Sequence, residues 1–165
     1  MNDKKYLETF QRATSKLDQK RLQKKQIEVA AGIVLDCPFL KLYKRSWASP
    51  SKDPLTATSR IFFSVWLSNA GAEEQKIFYN IHAFKLRQLK GYSIQSRKFA
   101  DAFRKHFKQE KQQWPNVSVQ YGPLTLMEGW LKVDLEDFLD ETLELANNFL
   151  KIEYLIDETL AEFKQ

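Results

Sequence analysis

The sequence predicts an α+β fold, an antiparallel sheet of four to five strands with helices packed on it in the order α-β-β-β-α-β-β-α. Three observations carry this expectation. Residues 58–86 alternate apolar and polar side chains on both sides of a short turn signal, the pattern of a hairpin. Segments near 3–25, 97–110 and 134–163 instead bring apolar residues back every three or four positions, the helical period. Strands joined by short turns pair antiparallel, and helices then cover one face of the sheet. With 165 residues, 43% of them hydrophobic, the chain can bury one core as a single domain spanning 1–165.

Taken in order, Tyr6, Phe10, Ala13 and Leu17 share one face of a basic amphipathic helix over about 3–25. Residues 27–35 are open to two readings, because Val29, Ile33 and Val34 suit a strand while Ala30-Ala31 would prolong the helix. Cys37-Pro38 interrupts the pattern, and Phe39 to Trp47 is extended, with Phe39, Tyr43 and Trp47 on one side. Ala48 to Thr58, with Pro50 and Pro54, is a loop. Ile61, Phe63, Val65 and Leu67 then form one face of a strand, Asn69 to Ala72 turn, and Lys76 to Leu86 return. Ser96 is the expected N-cap of a helix over 97–110, whose inner face holds Phe99, Phe103, His106 and Phe107. Val117, Val119 and Tyr121 alternate as a strand, Leu124 to Val133 form another, and Asp134 caps a long acidic amphipathic helix over about 134–163. This element order resembles that of the type III secretion chaperones, small α+β dimers. The resemblance lies in order alone, with no motif residues matched, and the basic front of this chain differs from the acidic character usual in that family.

Charge is segregated along the chain. Residues 1–115 hold 23 Lys+Arg against 10 Asp+Glu, and residues 116–165 hold 3 against 11, which leaves the overall net charge at +5. The densest basic stretch is 85–108, with Lys85, Arg87, Lys90, Arg97, Lys98, Arg104, Lys105 and Lys108 and a single acid, Asp101. These side chains are the expected contact for an anionic partner, nucleic acid or an acidic protein, and Tyr92 in their midst is placed to stack on an unpaired base. A solvated helix face is the competing explanation of the same pattern. A protein-partner module, such as a secretion or assembly chaperone or a homodimer built on the C-terminal helix, is the alternative.

Within the last helix, Glu153 and Asp157 intrude one turn apart into an otherwise apolar arc. They are expected to be structural, with a cation or a basic partner as the alternative. Other chemistry is thinly supplied. Cys37 with His82 or His106 has no nucleophile context, and no glycine loop of the phosphate-cradling kind is present. Asp53 with Glu74-Gln75-Lys76 is a loose acid–acid–lysine pattern of metal-dependent nucleases, a distant third reading. No catalytic residue, metal or cofactor is assigned. The single cysteine, the polar N-terminus and the lack of an apolar run of membrane-spanning length lead to the expectation of a cytoplasmic protein.

Overall fold

The computed structural model describes residues 2–165 and contains a five-stranded antiparallel sheet in the simple order β1-β2-β3-β4-β5. The strands are β1 (Glu28–Val34), β2 (Cys37–Tyr43), β3 (Arg60–Trp66), β4 (Lys76–Phe84) and β5 (Thr125–Lys132). The helices are α1 (Asp3–Lys16), α2 (Gln19–Lys25), α3 (Asn69–Glu74), α4 (Ser96–Phe107), α5 (Phe138–Ile152) and α6 (Tyr154–Ala161). The fold is therefore α+β, and the predicted hairpin strands are present as β3 and β4, with Phe63 opposite Ile81 and Val65 opposite Tyr79. The expected Asn69–Ala72 turn is instead the short helix α3, which Ser68 caps by accepting from Gly71 N. No described helix is long and apolar enough to cross a membrane.

Of residues 27–35, Glu28–Val34 form the strand β1. Leu35 and Asp36, at φ +50° and +62°, form a two-residue turn that folds β1 onto β2, with Val34 opposite Cys37. Two positive φ values at the tip match the twist of the flanking strands. The interruption is thus this turn rather than Cys37-Pro38. Pro38 stands second in β2, close enough to the strand's start for its missing donor to be tolerated. Trp47 departs from the expected extended run and sits in a short 3-10 turn, fully buried.

Other differences have local causes. The N-terminal helix breaks at Leu17, whose extended backbone lets Asp18 cap Arg21 N and restart the chain as α2. The cap position of α4 is Gln95 instead of Ser96, and its side chain makes no capping bond. The segment around 117–121 forms no strand; its backbone meets β5 only through reciprocal bonds between Ser118 and Glu128. Asp134 heads a 3-10 turn, and the long helix begins at Phe138 and breaks at Glu153.

All the long helices lie on one face of the sheet. There α1 packs on β1, β2 and α5, α5 crosses β3, and α4 packs on β5 and α6. The core is aromatic: Phe63 stacks on Phe149 at 4.5 Å between centroids and meets Trp114 edge-on at 5.8 Å. Phe10 meets Phe138 at 5.1 Å, so the apolar stripe of the first helix docks inward and its lysines face water. Tyr79 donates to Pro115 O at 2.6 Å, and a Cβ at Gly129 would collide with that phenol. Glycine is required there by close approach.

Glu153 and Asp157 meet a basic partner inside the chain. Lys44 Nζ lies 2.8 Å from Glu153 and 2.6 Å from Asp157, and Trp47 Nε1 donates to Asp157 at 2.8 Å. Lys25 adds a longer contact with Glu153 at 3.5 Å. Burial opposes the charge on Lys44, yet the two carboxylates more than offset it and raise its pKa. The cluster ties the α5–α6 break to α2 and the end of β2.

Candidate functional site: the open face of the sheet

The second face of the sheet carries none of the long helices; only the short α3 touches it, with Gly71 against the ring of Phe78. The side chains of this face form cross-strand rows set by the register. One row reads Gly32, Phe39, Trp66, Phe78, Trp130. The next reads Ala30, Lys41, Ser64, Asn80, Glu128. Phe62 faces His82 in a third row, and Arg60 faces Phe84 at the end of the strands. An aromatic band, a polar band and a second aromatic band therefore cross the face, and most of these side chains are half-buried by one another.

The rings lean together. Trp66 stacks on Phe78 at 5.7 Å, and His82 lies between Phe62 at 4.9 Å and Phe84 at 5.9 Å. The cations of this face sit over rings. Lys41 Nζ is 4.4 Å from the centroids of both Phe39 and Phe62, Lys76 is 4.2 Å from Trp130, and Arg60 and Lys85 flank Phe84 at 4.7 and 5.2 Å. Of these four, only Lys76 also reaches a carboxylate, Glu74 at 3.4 Å. Glu128 is the acid in the polar row, where it accepts from Asn80 Nδ2 at 3.3 Å.

Burial governs the titration of this face. It brings Lys41 down to about 8, with Arg60 adding repulsion and Asp53 opposing. It brings His82 down to about 4, helped by Arg60 and Lys41. It raises Glu128, against the stabilising bond from Asn80. Each shift favours the neutral form, as desolvation requires.

A depression of about 320 Å³ opens on this face. Lys41, Ser64 and Asn80 form its polar part, Phe39, Phe62 and Trp66 its walls, and the β1–β2 turn its rim. Cys37 and His82 also border it, but rows holding Phe39 and Lys41 separate the position of Cys37 from that of His82. Burial and the Asp36 and Asp3 charges raise the Cys37 thiol, while His82 is held neutral. That is the reverse of an activated thiolate–imidazolium pair.

The 85–108 residues are carried by different elements. Lys85 stands at the end of β4, in the left-handed region at φ +50°, beside the open face. Arg87 and Lys90 are exposed in the connection that follows. Arg97, Lys98 and Lys105 are exposed on α4, in the helical layer, and Lys108 is exposed just past its end. Tyr92 is half-buried against the core, and its backbone bridges to Lys164. Arg104 is committed to the fold: its guanidinium donates to the carbonyls of Leu126 at 3.1 Å, Tyr121 at 3.0 Å, Gly122 at 3.1 Å and Thr125 at 2.9 Å.

The remaining arrangements do not assemble. Asp53 caps the 3-10 turn before β3, whereas Glu74 and Lys76 lie beyond the other end of that strand, about 20 Å away at ~3.4 Å per residue. No group of three or more His, Cys, Asp or Glu is placed to hold a metal ion among the described residues. His106 pairs with Glu162 at 2.9 Å. The apolar arc of the C-terminal helices is consumed by the core, with Phe149, Leu150, Ile156 and Leu160 all buried.

The open face was missed in the sequence because alternation marks two faces without saying which one a helix covers. Its signal was present nonetheless: Phe62, Trp66, Phe78 and Phe84 are aromatic at positions where a solvated face would carry small polar residues. Comparison of the chain with protein-family models, curated proteins and solved structures gave no match in any of the three.

Proposed function

We propose that this chain is a non-enzymatic binding module for an anionic polymer, single-stranded nucleic acid, and that the open sheet face is its contact surface. The observation that carries this reading is the placement of Lys76 over Trp130 and of Arg60 and Lys85 over Phe84, at the ends of the sheet. A cation over an exposed ring contributes about 0.5–1 kcal/mol. A base stacked on an aromatic ring contributes about 1–3 kcal/mol. An incoming strand can therefore take the ring faces at Trp130 and Phe84 while Lys76 and Lys85 swing to its phosphates, and the exchange is favourable; Arg60, whose Nη1 donates to Ala57 O at 2.6 Å, keeps its place beside Phe84. Arg87 and Lys90 extend the basic edge. In this reading the exposed cations of α4 belong to a solvated helix face.

The test uses the tryptophans. Trp66 and Trp130 stand on the open face, whereas Trp47 and Trp114 are buried. Oligothymidylate should quench emission at low salt, lose affinity steeply between about 50 and 200 mM salt, and lose the quench in a Trp66→Phe/Trp130→Phe double variant. Absence of binding at low salt overturns the nucleic-acid version. Binding of polyglutamate in its place would assign the face to an acidic protein.

A second reading, a protein-partner module, is favoured by one observation. Ile33, Val34 and Leu35 project from the β1–β2 turn, and Leu35 is 92% exposed. A leucine in the left-handed region costs about 1 kcal/mol and gains nothing from exposure. Strain of this kind concentrates where a surface is used. Loss of a captured partner on Leu35→Asn, with oligothymidylate binding unchanged, would separate this reading from the first.

A further inference from the structure

The depression over Lys41 has features that the polymer-binding reading does not use. Its ammonium has two rings as neighbours and makes no ion pair or hydrogen bond among the described residues. Ser64 beside it is buried to 6% exposure. Asn80 Oδ1 is buried without a donor, because the amide nitrogen is turned to Glu128. A desolvated cation and an unpaired buried acceptor in one polar row are costly unless something completes them. The volume of about 320 Å³ is at the small end of ligand sites.

We propose that this depression is a small-molecule site for a flat aromatic monocarboxylate bearing a ring N–H or O–H, of the indole- or phenol-carboxylic acid class. The carboxylate pairs with Lys41, the ring lies between Phe39 and Trp66 under the apolar rim of Val34 and Leu35, and the ring donor serves Asn80. A single negative charge is selected. One lysine neutralises one charge, and the Glu128 carboxylate bonded to Asn80 disfavours a dianion such as a phosphate monoester. Apolar walls select an aromatic body over a sugar. This inference stands independently of the polymer reading, since it uses the recessed polar row rather than the ring faces at the sheet ends.

Proton linkage supports the same site. Lys41 is brought down to about 8, and a bound carboxylate raises it again. The charged and titratable groups around it are Arg60 on β3, His82 on β4, Asp53 in the connection before β3, Glu128 in the same cross-strand row on β5 and the Cys37 thiol at the rim, the last two pushed up by burial. His82 is neutral above about 4 and stays so through the range in which Lys41 titrates.

The test is a titration of the full chain with indole-3-carboxylate, followed by calorimetry and by the Trp66 side-chain NMR signal, beside its neutral isostere indole-3-carboxamide. Saturable binding is expected at millimolar or lower concentration, at least tenfold weaker for the amide and weakening as pH rises past about 8. Lys41→Met should abolish it while leaving the circular dichroism spectrum unchanged. If Lys41→Met does not fold, the acid–amide comparison and the pH profile of the native chain decide alone. Equal binding of acid and amide, affinity constant from pH 7 to 9, or no binding at millimolar ligand overturns the proposal. Oligothymidylate binding with no carboxylate binding defeats this site and leaves the polymer reading standing; the converse result does the opposite.

Discussion

Replacing Arg104 by glutamate separates a binding role from a structural one. If Arg104 were a surface contact for an anion, charge reversal would remove binding and leave stability unchanged. The structure sets a different outcome. The guanidinium serves four carbonyls between Tyr121 and Leu126, a turn that leads into β5. The Tyr121 and Gly122 carbonyls belong to exposed residues and regain water when the side chain is lost, so they contribute little. The bonds to Thr125 and Leu126 are partly buried, and hydrogen bonds from a charged donor are worth about 1.5–3 kcal/mol each before exposure is discounted. A loss of ~2–4 kcal/mol follows, increased by the repulsion between the new carboxylate and the same carbonyls. In urea, with a slope of roughly 2 kcal/mol/M, the midpoint should fall by ~1–2 M. Lys105, its exposed neighbour on α4, is the control: Lys105→Glu should stay within about 0.5 kcal/mol of the native chain. Equal midpoints for the two variants would refute the structural assignment of Arg104.

Three further outcomes are expected. Glu153→Ala leaves Lys44, a half-buried ammonium, with Asp157 alone, and loss of one charged hydrogen bond of this kind costs about 1.5–3 kcal/mol; a urea midpoint within error of the native value would show that the cluster does not hold the α5–α6 break. His82 is held at about 4, below its ordinary 6.5, so the unfolded chain binds the extra proton between these values and stability falls as pH drops from about 6.5 to 4. His82→Phe should flatten that part of the pH–stability curve, and an unchanged slope would assign it elsewhere. Leu35→Asn relieves the left-handed leucine at the β1–β2 tip and should raise thermal stability by about 1 kcal/mol, measured by the melting temperature.

Local pattern made most of the elements legible. The alternation through Ile61–Leu67 and Lys76–Leu86 is a property of neighbouring residues, and β3 and β4 lie there in the expected pairing. The stripe of Tyr6, Phe10, Ala13 and Leu17 told which face of α1 turns inward. The β1–β2 hairpin was harder to see because its turn uses Leu35-Asp36, without the glycine or asparagine that announces positive φ. The 117–121 segment alternates like a strand, but only Ser118 finds a backbone partner, so alternation without a neighbour produced no strand.

By itself the sequence determined the α+β class and the amphipathic faces, which are written in spacings of two to four residues, and the separation of charge, which is written in composition along the chain. Tertiary structure decided what those faces and charges meet. Arg104 finds its carbonyls 17 to 22 residues away, and Lys44 finds Asp157 at a separation of 113. It also decided that the helices gather on one side of the sheet, which left Phe39, Trp66, Phe78 and Trp130 in a row on the other. Periodicity fixes the direction in which a side chain points relative to its own strand or helix. Which surface lies in that direction depends on strand order and helix placement, and these are set by contacts between parts of the chain that no local spacing links.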